Sequence, residues 1–190
     1  MRLTGGMERG RRIRAPRGLG TRPTAAKVRE ALFNILGPPP GGAVLDLFAG
    51  TGALGIEALS RGAERAVFIE RDRQALGALR ENLKELGLAD RAVVVAADVK
   101  TGLRRLASSL GPEERFSWVF LDPPYAVDQA SVTEAVLAEL TERNLQTGCA
   151  VVTVEHDGRH RPPASVGALF LTDRREYGDT ELSFYRSGHS

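Results

Sequence analysis

The 190-residue sequence predicts an α/β fold: a mostly parallel, doubly wound sheet of seven strands closed by an antiparallel hairpin, behind a short basic N-terminal extension. Three observations carry this prediction. Short, near-continuous apolar runs alternate with longer runs of helical period, as in parallel strands covered on both faces. A glycine-rich loop, DLFAGTGALG, joins the first apolar run to a helix. The last two apolar runs have no convincing helix between them and read as a hairpin. The right-handed crossover rule then places helices on both sides of the sheet.

The elements follow in order. Residues 1–20 are rich in Arg, Gly and Pro without a sustained period, so they read as an arm or a short irregular hairpin. Thr24 can cap a helix to about Leu36, with Val28, Leu32 and Ile35 on one face. The run GPPPGG stops it. Ala43–Leu47 is the first strand, Leu54–Ser60 a helix, and Arg65–Glu70 the second strand. Arg73–Leu86 is a helix with Leu76, Leu79 and Leu83 inward and Gly87 as its stop. Ala92–Ala96 is the third strand, Thr101–Leu110 a helix, Phe116–Leu121 the fourth strand and Ser131–Arg143 a helix. Cys149–Glu155 is the fifth strand, followed by strands near Leu169–Arg175 and Thr180–Arg186. Cys149 and Trp118 are expected in the core, and His156, His160 and His189 on the surface. Five βα units closed by an antiparallel hairpin form the pattern of a Rossmann-like methyltransferase sheet.

Composition narrows the class. The chain is 42% hydrophobic and 26% charged, which excludes wholesale disorder. A domain of this length buries roughly 70% of its unfolded surface, so no disulfide or metal staple is needed. Residues 38–190 are expected to form one compact unit behind the basic arm and helix of residues 1–37. No apolar run approaches a membrane span, and no secretory signal is evident. One cysteine forbids an internal disulfide and fits a cytoplasmic setting. Residues 1–29 hold nine basic side chains and one acid, while the remaining 161 residues hold 17 basic and 23 acidic ones. Such asymmetry points to a basic segment that meets a polyanion.

The loop from Asp46 to Gly55 is a candidate cofactor cradle, with Phe48, Gly50 and Gly52 within it. Glycines let the backbone approach a ligand, and a helix N-terminus offers free N–H groups. Asp46, four residues ahead of the first glycine, is poorly matched to a pyrophosphate. It suits a ligand with an ammonium or sulfonium charge, and S-adenosylmethionine carries both. The bland alternative makes Asp46 a capping group of a tight strand-to-helix turn. Glu70 ends the second strand and can accept two ribose hydroxyls. Asp98 stands past the third strand, where a carboxylate could accept an adenine amine. Three acids at the ends of successive strands fall where open α/β sheets bind ligands.

The fourth strand runs into Asp122-Pro123-Pro124-Tyr125. Two prolines fix the backbone and remove two N–H donors. The Asp122 and Pro123 carbonyls and the Asp122 carboxylate then form an acceptor-only nest for an NH₂ group. Tyr125 offers a face on which a base stacks. The amine of a nucleobase is a poor nucleophile because its lone pair is delocalised into the ring. Hydrogen bonds that draw its protons out of plane localise that pair, and in-line methyl transfer then needs mainly positioning.

Cradle and DPPY together resemble amino-methyltransferases of adenine, cytosine or guanine. Thr21-Arg22-Pro23-Thr24, Val28-Arg29-Glu30, Leu32-Phe33-Asn34 and Tyr177-Gly178-Asp179-Thr180 make the chain similar to the RsmD family, bacterial small-subunit rRNA guanine-N2 methyltransferases. The similarity runs from about Arg9 to Tyr185. It implies a class I S-adenosylmethionine-dependent fold, that cofactor, and a guanine of 16S rRNA as acceptor within a small-subunit particle; the in-line displacement itself needs no metal, and a monomer is the default state. Arg9, Arg11, Arg12, Arg14 and Arg17 are expected to meet phosphates. Arg22, Thr24 and Arg29, around the first helix cap, are expected at the substrate mouth. The alternatives are a DPPY enzyme acting on adenine N6 in DNA or RNA, a non-catalytic RNA-binding factor, and a nicotinamide dehydrogenase.

Overall fold

The computed structural model describes residues 1–15, 23–111, 114–124 and 129–188. Strand and helix alternate as the periodicity requires. The helices are α1 (Pro23–Leu36), α2 (Ala53–Ser60), α3 (Arg73–Leu86), α4 (Val99–Ser109) and α5 (Gln129–Glu142). The strands are β1 (Ala43–Leu47), β2 (Arg65–Glu70), β3 (Ala92–Ala96), β4 (Phe116–Leu121), β5 (Gln146–Asp157), β6 (Ser165–Val166), β7 (Leu169–Tyr177) and β8 (Thr180–Ser187). They form one eight-stranded sheet in the order β3-β2-β1-β4-β5-β8-β7-β6. The first five strands are parallel, and β8, β7 and β6 run antiparallel to their neighbours. The expected seven strands thus become eight. The extra strand is the two-residue edge β6, too short to leave a periodic signal.

The sheet separates two cores. Val44, Phe68, Trp118, Phe120 and Val151 face α1, α2 and α3. Leu45, Leu47, Ile69, Val119, Leu121 and Val152 face α4 and α5. Each of these side chains contributes roughly 1.5–3 kcal/mol by leaving water. On the first face Phe33 of α1 packs edge-on against Trp118 and Phe120, with ring centroids 6.0 and 5.7 Å apart. Trp118 is therefore core, as expected. Gly55 brings α2 onto β2, because a Cβ there would enter the Phe68 ring. Gly55→Ala should cost about 1–3 kcal/mol through overpacking. Urea unfolding checks this; an unchanged midpoint would show that α2 has room to lift off the sheet.

Three expectations about side-chain burial are corrected. Ile35 is 42% exposed, because α1 buries Val28, Arg29, Leu32 and Phe33 instead. Cys149 is exposed, because pairing with β4 jumps from Phe116↔Gln146 to Trp118↔Val151 and leaves Cys149 in the bulge. His156 is fully buried near the end of β5, where it pairs with Glu181 of β8. Its ring nitrogens lie 2.8 Å from Ser183 Oγ and 3.0 Å from the Asp157 carbonyl. Burial pulls its pKa down. His160 is exposed, and His189 lies outside the described residues. No helix among the described residues is long and apolar enough to cross a membrane.

Residues 1–15 take the hairpin form rather than that of a free arm. Arg2 and Arg12 bridge antiparallel, and Leu3 N–H donates to the Arg11 carbonyl at 3.0 Å. Leu3 and Ile13 are buried in the core beneath α1 and α2. Glu57 of α2, fully buried, clamps the segment. Its carboxylate accepts from Thr4 N–H, Thr4 Oγ1, Gly5 N–H and Arg61 Nε, and lies 3.4 Å from Arg29 Nε.

Candidate active site

Strand order reverses at β1, with β2 on one side and β4 on the other. A crevice outside the carboxyl ends of the strands at such a switch point is where open α/β sheets bind ligands. Both loops singled out by the sequence, one after β1 and one after β4, leave from this point.

The β1–α2 loop is held from behind. Ala49 N–H donates to the Ile69 carbonyl at 3.0 Å, and Gly50 N–H to Glu70 Oε2 at 2.7 Å. Three residues turn left-handed: Phe48 (φ 59°), Gly50 (φ 55°) and Gly52 (φ 83°). Phe48 carries a Cβ in that region, a local strain of the kind kept where the surroundings enforce it. A Cβ on Gly50 would meet no atom within 4 Å, so the loop there faces open space. Asp46 is 2% exposed, and its Oδ2 accepts Gly55 N–H at 2.8 Å. The bland capping role is therefore real: Asp46 reaches from β1 to the first turn of α2.

Burial pushes the Asp46 carboxyl up to about 7, against the Gly55 hydrogen bond, which lowers it; the charges of Asp122 and Glu70 push in the same upward direction as burial. The folded chain then keeps a proton that the unfolded chain releases above its ordinary value of 3.8. Stability should fall as pH rises from near 4 to near 7, and flatten above. Urea unfolding at pH 5 and pH 8 checks it. Asp46→Asn should lose less stability between those pH values than the parent does, and an equal loss in both would remove Asp46 as the cause.

Glu70 joins the two nearest loops. Beyond Gly50, its Oε1 accepts Arg71 N–H and Asp72 N–H, each at 2.7 Å. Asp98 is exposed and caps α4 by accepting Thr101 N–H at 3.0 Å, a bond that holds its carboxyl below the ordinary value.

At the end of β4, Asp122 is half-buried, Pro123 buried and Pro124 exposed. Tyr125 lies outside the described residues. The expected nest needs one correction. The Pro123 carbonyl is already engaged by Gln129 Nε2 at 2.9 Å. Gln129, 1% exposed, also accepts Asp157 N–H at 3.0 Å through Oε1, which ties the DPP turn to the end of β5. Its place on the first turn of α5 gave no chemical signal in the sequence.

Glu155 was also missed as a site residue; it reads as the last letter of an apolar run. Leu121 pairs with Val154, so Asp122 and Glu155 stand side by side at the next position. Strand alternation puts Asp46, Glu70, Asp122 and Glu155 on one face, the face of Val44, Phe68, Phe120 and Val151. Neither Asp122 nor Glu155 accepts a side-chain hydrogen bond from a described residue. Burial raises both carboxyls, and the charge of Asp122 raises Glu155 further, while Arg29 lowers it. Four carboxyl groups on one face, at the carboxyl edge of the sheet, could accept from a cationic or NH-rich ligand.

The expected RNA contacts divide. Arg9 and Arg12 are exposed. Arg11 donates to Glu8 at 2.6 Å and to the Glu85 carbonyl, and Arg14 pairs with Glu85 at 2.6 Å. Arg29 is 4% exposed, turned inward against Glu57 and the Arg2 carbonyl, so its guanidinium does not line an open mouth. The cause is its position on the buried face of α1. Arg17 and Arg22 lie outside the described residues; Thr24 is in α1, its side chain outside them.

Residues 1–186 match the family described as Conserved hypothetical protein 95. The chain is 43% identical over 187 residues to Ribosomal RNA small subunit methyltransferase D of Escherichia coli K12, across 98% of this chain and 89% of that one. The solved structure of the Escherichia coli protein named "Putative methyltransferase yhhF" aligns with a TM-score of 0.84 at 32% identity, covering 100% of this chain and 99% of that one. A hypothetical protein of Thermus thermophilus aligns with a TM-score of 0.81 at 34% identity, over 98% and 99% of the two chains. Matched over nearly its whole length in sequence and in fold, the chain belongs to the Conserved hypothetical protein 95 family, the family of RsmD.

Proposed function

We propose that this chain is an S-adenosylmethionine-dependent methyltransferase of small-subunit ribosomal RNA, acting on the exocyclic N2 amine of a guanine. The observation that carries this reading is the placement of Asp122 beside the switch point, on the same sheet face as Asp46. The kinship with the Escherichia coli protein of that name supports the RNA substrate.

The residues present fit the cofactor. Gly50 faces open space, and buried Asp46 stands behind the loop as the acidic partner for a ligand bearing cationic charge. Asp46, Phe48, Gly50, Gly52, Glu70 and Asp98 would hold it. When bound, it supplies an electrophilic methyl group on a sulfonium sulfur. The chain's own residues do the rest. The Asp122 carboxylate accepts hydrogens of the acceptor amine and so localises the nitrogen lone pair. The Pro123 carbonyl, fixed by Gln129, keeps a second lone pair for the same amine. Asp122 or its neighbour Glu155 receives the proton released when the amine is alkylated. The base on which Tyr125 would stack must be unstacked from the RNA first, at a cost of a few kcal/mol.

The test is nucleoside mass analysis of small-subunit rRNA from cells with and without the protein, repeated with purified protein and labelled cofactor. N2-methylguanosine that depends on the protein is the expected product. N6-methyladenosine as the sole product would replace this reading with that of an adenine enzyme.

A further inference from the structure

Arg71, Arg73 and Arg80 line a concavity of about 350 Å³ with Leu76, Ala96 and Ala97. It lies where β2 and β3 end and α3 begins, on the same carboxyl edge of the sheet as the active-site crevice, one strand further out. Spacings of three and four residues put Arg73, Leu76 and Arg80 on one face of α3. All three arginines are exposed, and none of their guanidinium groups makes an ion pair or hydrogen bond with a described residue. Arg11, Arg14, Arg61, Arg143, Arg159 and Arg161 each have a carboxylate partner; Arg9, Arg12, Arg104, Arg105 and Arg186 have no side-chain partner among the described residues either, but only Arg71, Arg73 and Arg80 converge on one concavity.

The acids nearest the groove make no ion pair with its arginines, because backbone N–H groups orient their carboxylates elsewhere. Glu70 accepts from Gly50, Arg71 and Asp72, while Asp72 caps α3 through Gln74 and Ala75. Asp98 caps α4. The basic N-terminal segment is meanwhile partly committed to the protein, with Arg11 and Arg14 held at Glu85 on the far end of the same helix. Unpaired guanidinium forks in a hollow suit bidentate phosphate binding, and the Leu76, Ala96 and Ala97 surface suits the sugar between phosphates.

We propose that this groove seats a phosphodiester segment of the substrate RNA flanking the modified nucleotide, so that α3, as well as the N-terminal segment, holds the RNA backbone. This rests on the reading of the chain as an RNA methyltransferase. The test uses the full-length protein and the double variant R73Q/R80Q, whose altered side chains are exposed and whose fold is checked by thermal melting. Binding to a small-subunit rRNA fragment is measured across a salt series, and cofactor affinity by calorimetry. Loss of two phosphate contacts should reduce the slope of log affinity against log salt by about 1.4–1.8. RNA affinity should fall about tenfold or more near 0.1 M salt, with KM for RNA raised and cofactor affinity and kcat at saturating RNA unchanged.

An unchanged slope and affinity would overturn the groove assignment while leaving the enzyme reading standing. Lost cofactor affinity with RNA affinity intact would overturn it too, and would assign the groove to the cofactor. A parent protein with no salt-dependent affinity for RNA would overturn both readings.

Discussion

Asp122→Ala should lower the turnover of methyl transfer by about 10²-fold or more while leaving cofactor affinity little changed. The residue stands at the end of β4, half-buried, beside Glu155 and next to the end of β1, from which the cradle leaves. On the proposed reading, its loss removes the acceptor that draws the amine hydrogens out of the ring plane, an interaction that matters most in the transition state. Asp122→Asn should fall between parent and Ala. An amide oxygen still accepts one hydrogen, but it cannot take up a proton. Because burial raises the Asp122 carboxyl, the parent's rate should climb with pH as that group ionises, and the climb should weaken in the Asn variant. Single-turnover transfer across a pH series, with calorimetry for the cofactor, measures both. Turnover equal to the parent's in Asp122→Ala would end the assignment of Asp122 to the chemistry.

The second large effect is on stability. Glu57→Ala should cost about 3–5 kcal/mol, the usual consequence of removing one partner from a buried ion pair. Glu57 is fully buried and Arg29 is 4% exposed. Without the carboxylate, Arg29 loses its charge partner, and Thr4 N–H, Gly5 N–H and Arg61 Nε lose their acceptor. The first fifteen residues should then become the preferred site of limited proteolysis, since Glu57, with Ser60, ties them to α2. Urea unfolding gives the stability change. A variant that replaces both partners with apolar residues of similar volume, E57L/R29M, should recover part of it. A loss below about 1 kcal/mol in Glu57→Ala would mean that the pair is solvated in the free protein.

This clamp bears on function through α2. The helix that carries Glu57 in its middle begins at the cradle glycine Gly52. Arg29 meets Glu57 on one side and feels the charge of Glu155 on the other. The N-terminal hairpin and the cradle helix are thus joined through one buried arginine, whose charge also acts on Glu155.

Ala43–Leu47, Arg65–Glu70, Ala92–Ala96 and Phe116–Leu121 were legible to the residue, because apolar runs bounded by glycine, proline and charge are a local property of the chain. The cradle glycines and the acids at strand ends were legible for the same reason: the loop after each strand must pass the carboxyl edge of a parallel sheet. What lay beyond reach were contacts between distant segments. Register brings Asp122 beside Glu155, and the packing of α1 turns Arg29 inward to Glu57. Gln129 reaches back to Pro123 and across to Asp157. His156 and Cys149 exchanged their expected places because burial in a sheet depends on which strands flank a position, and pattern along a single strand does not carry that information. Secondary structure and loop chemistry come from neighbours in the chain; the pairing of charges comes from neighbours in space, and these are settled only when the strands lock into register.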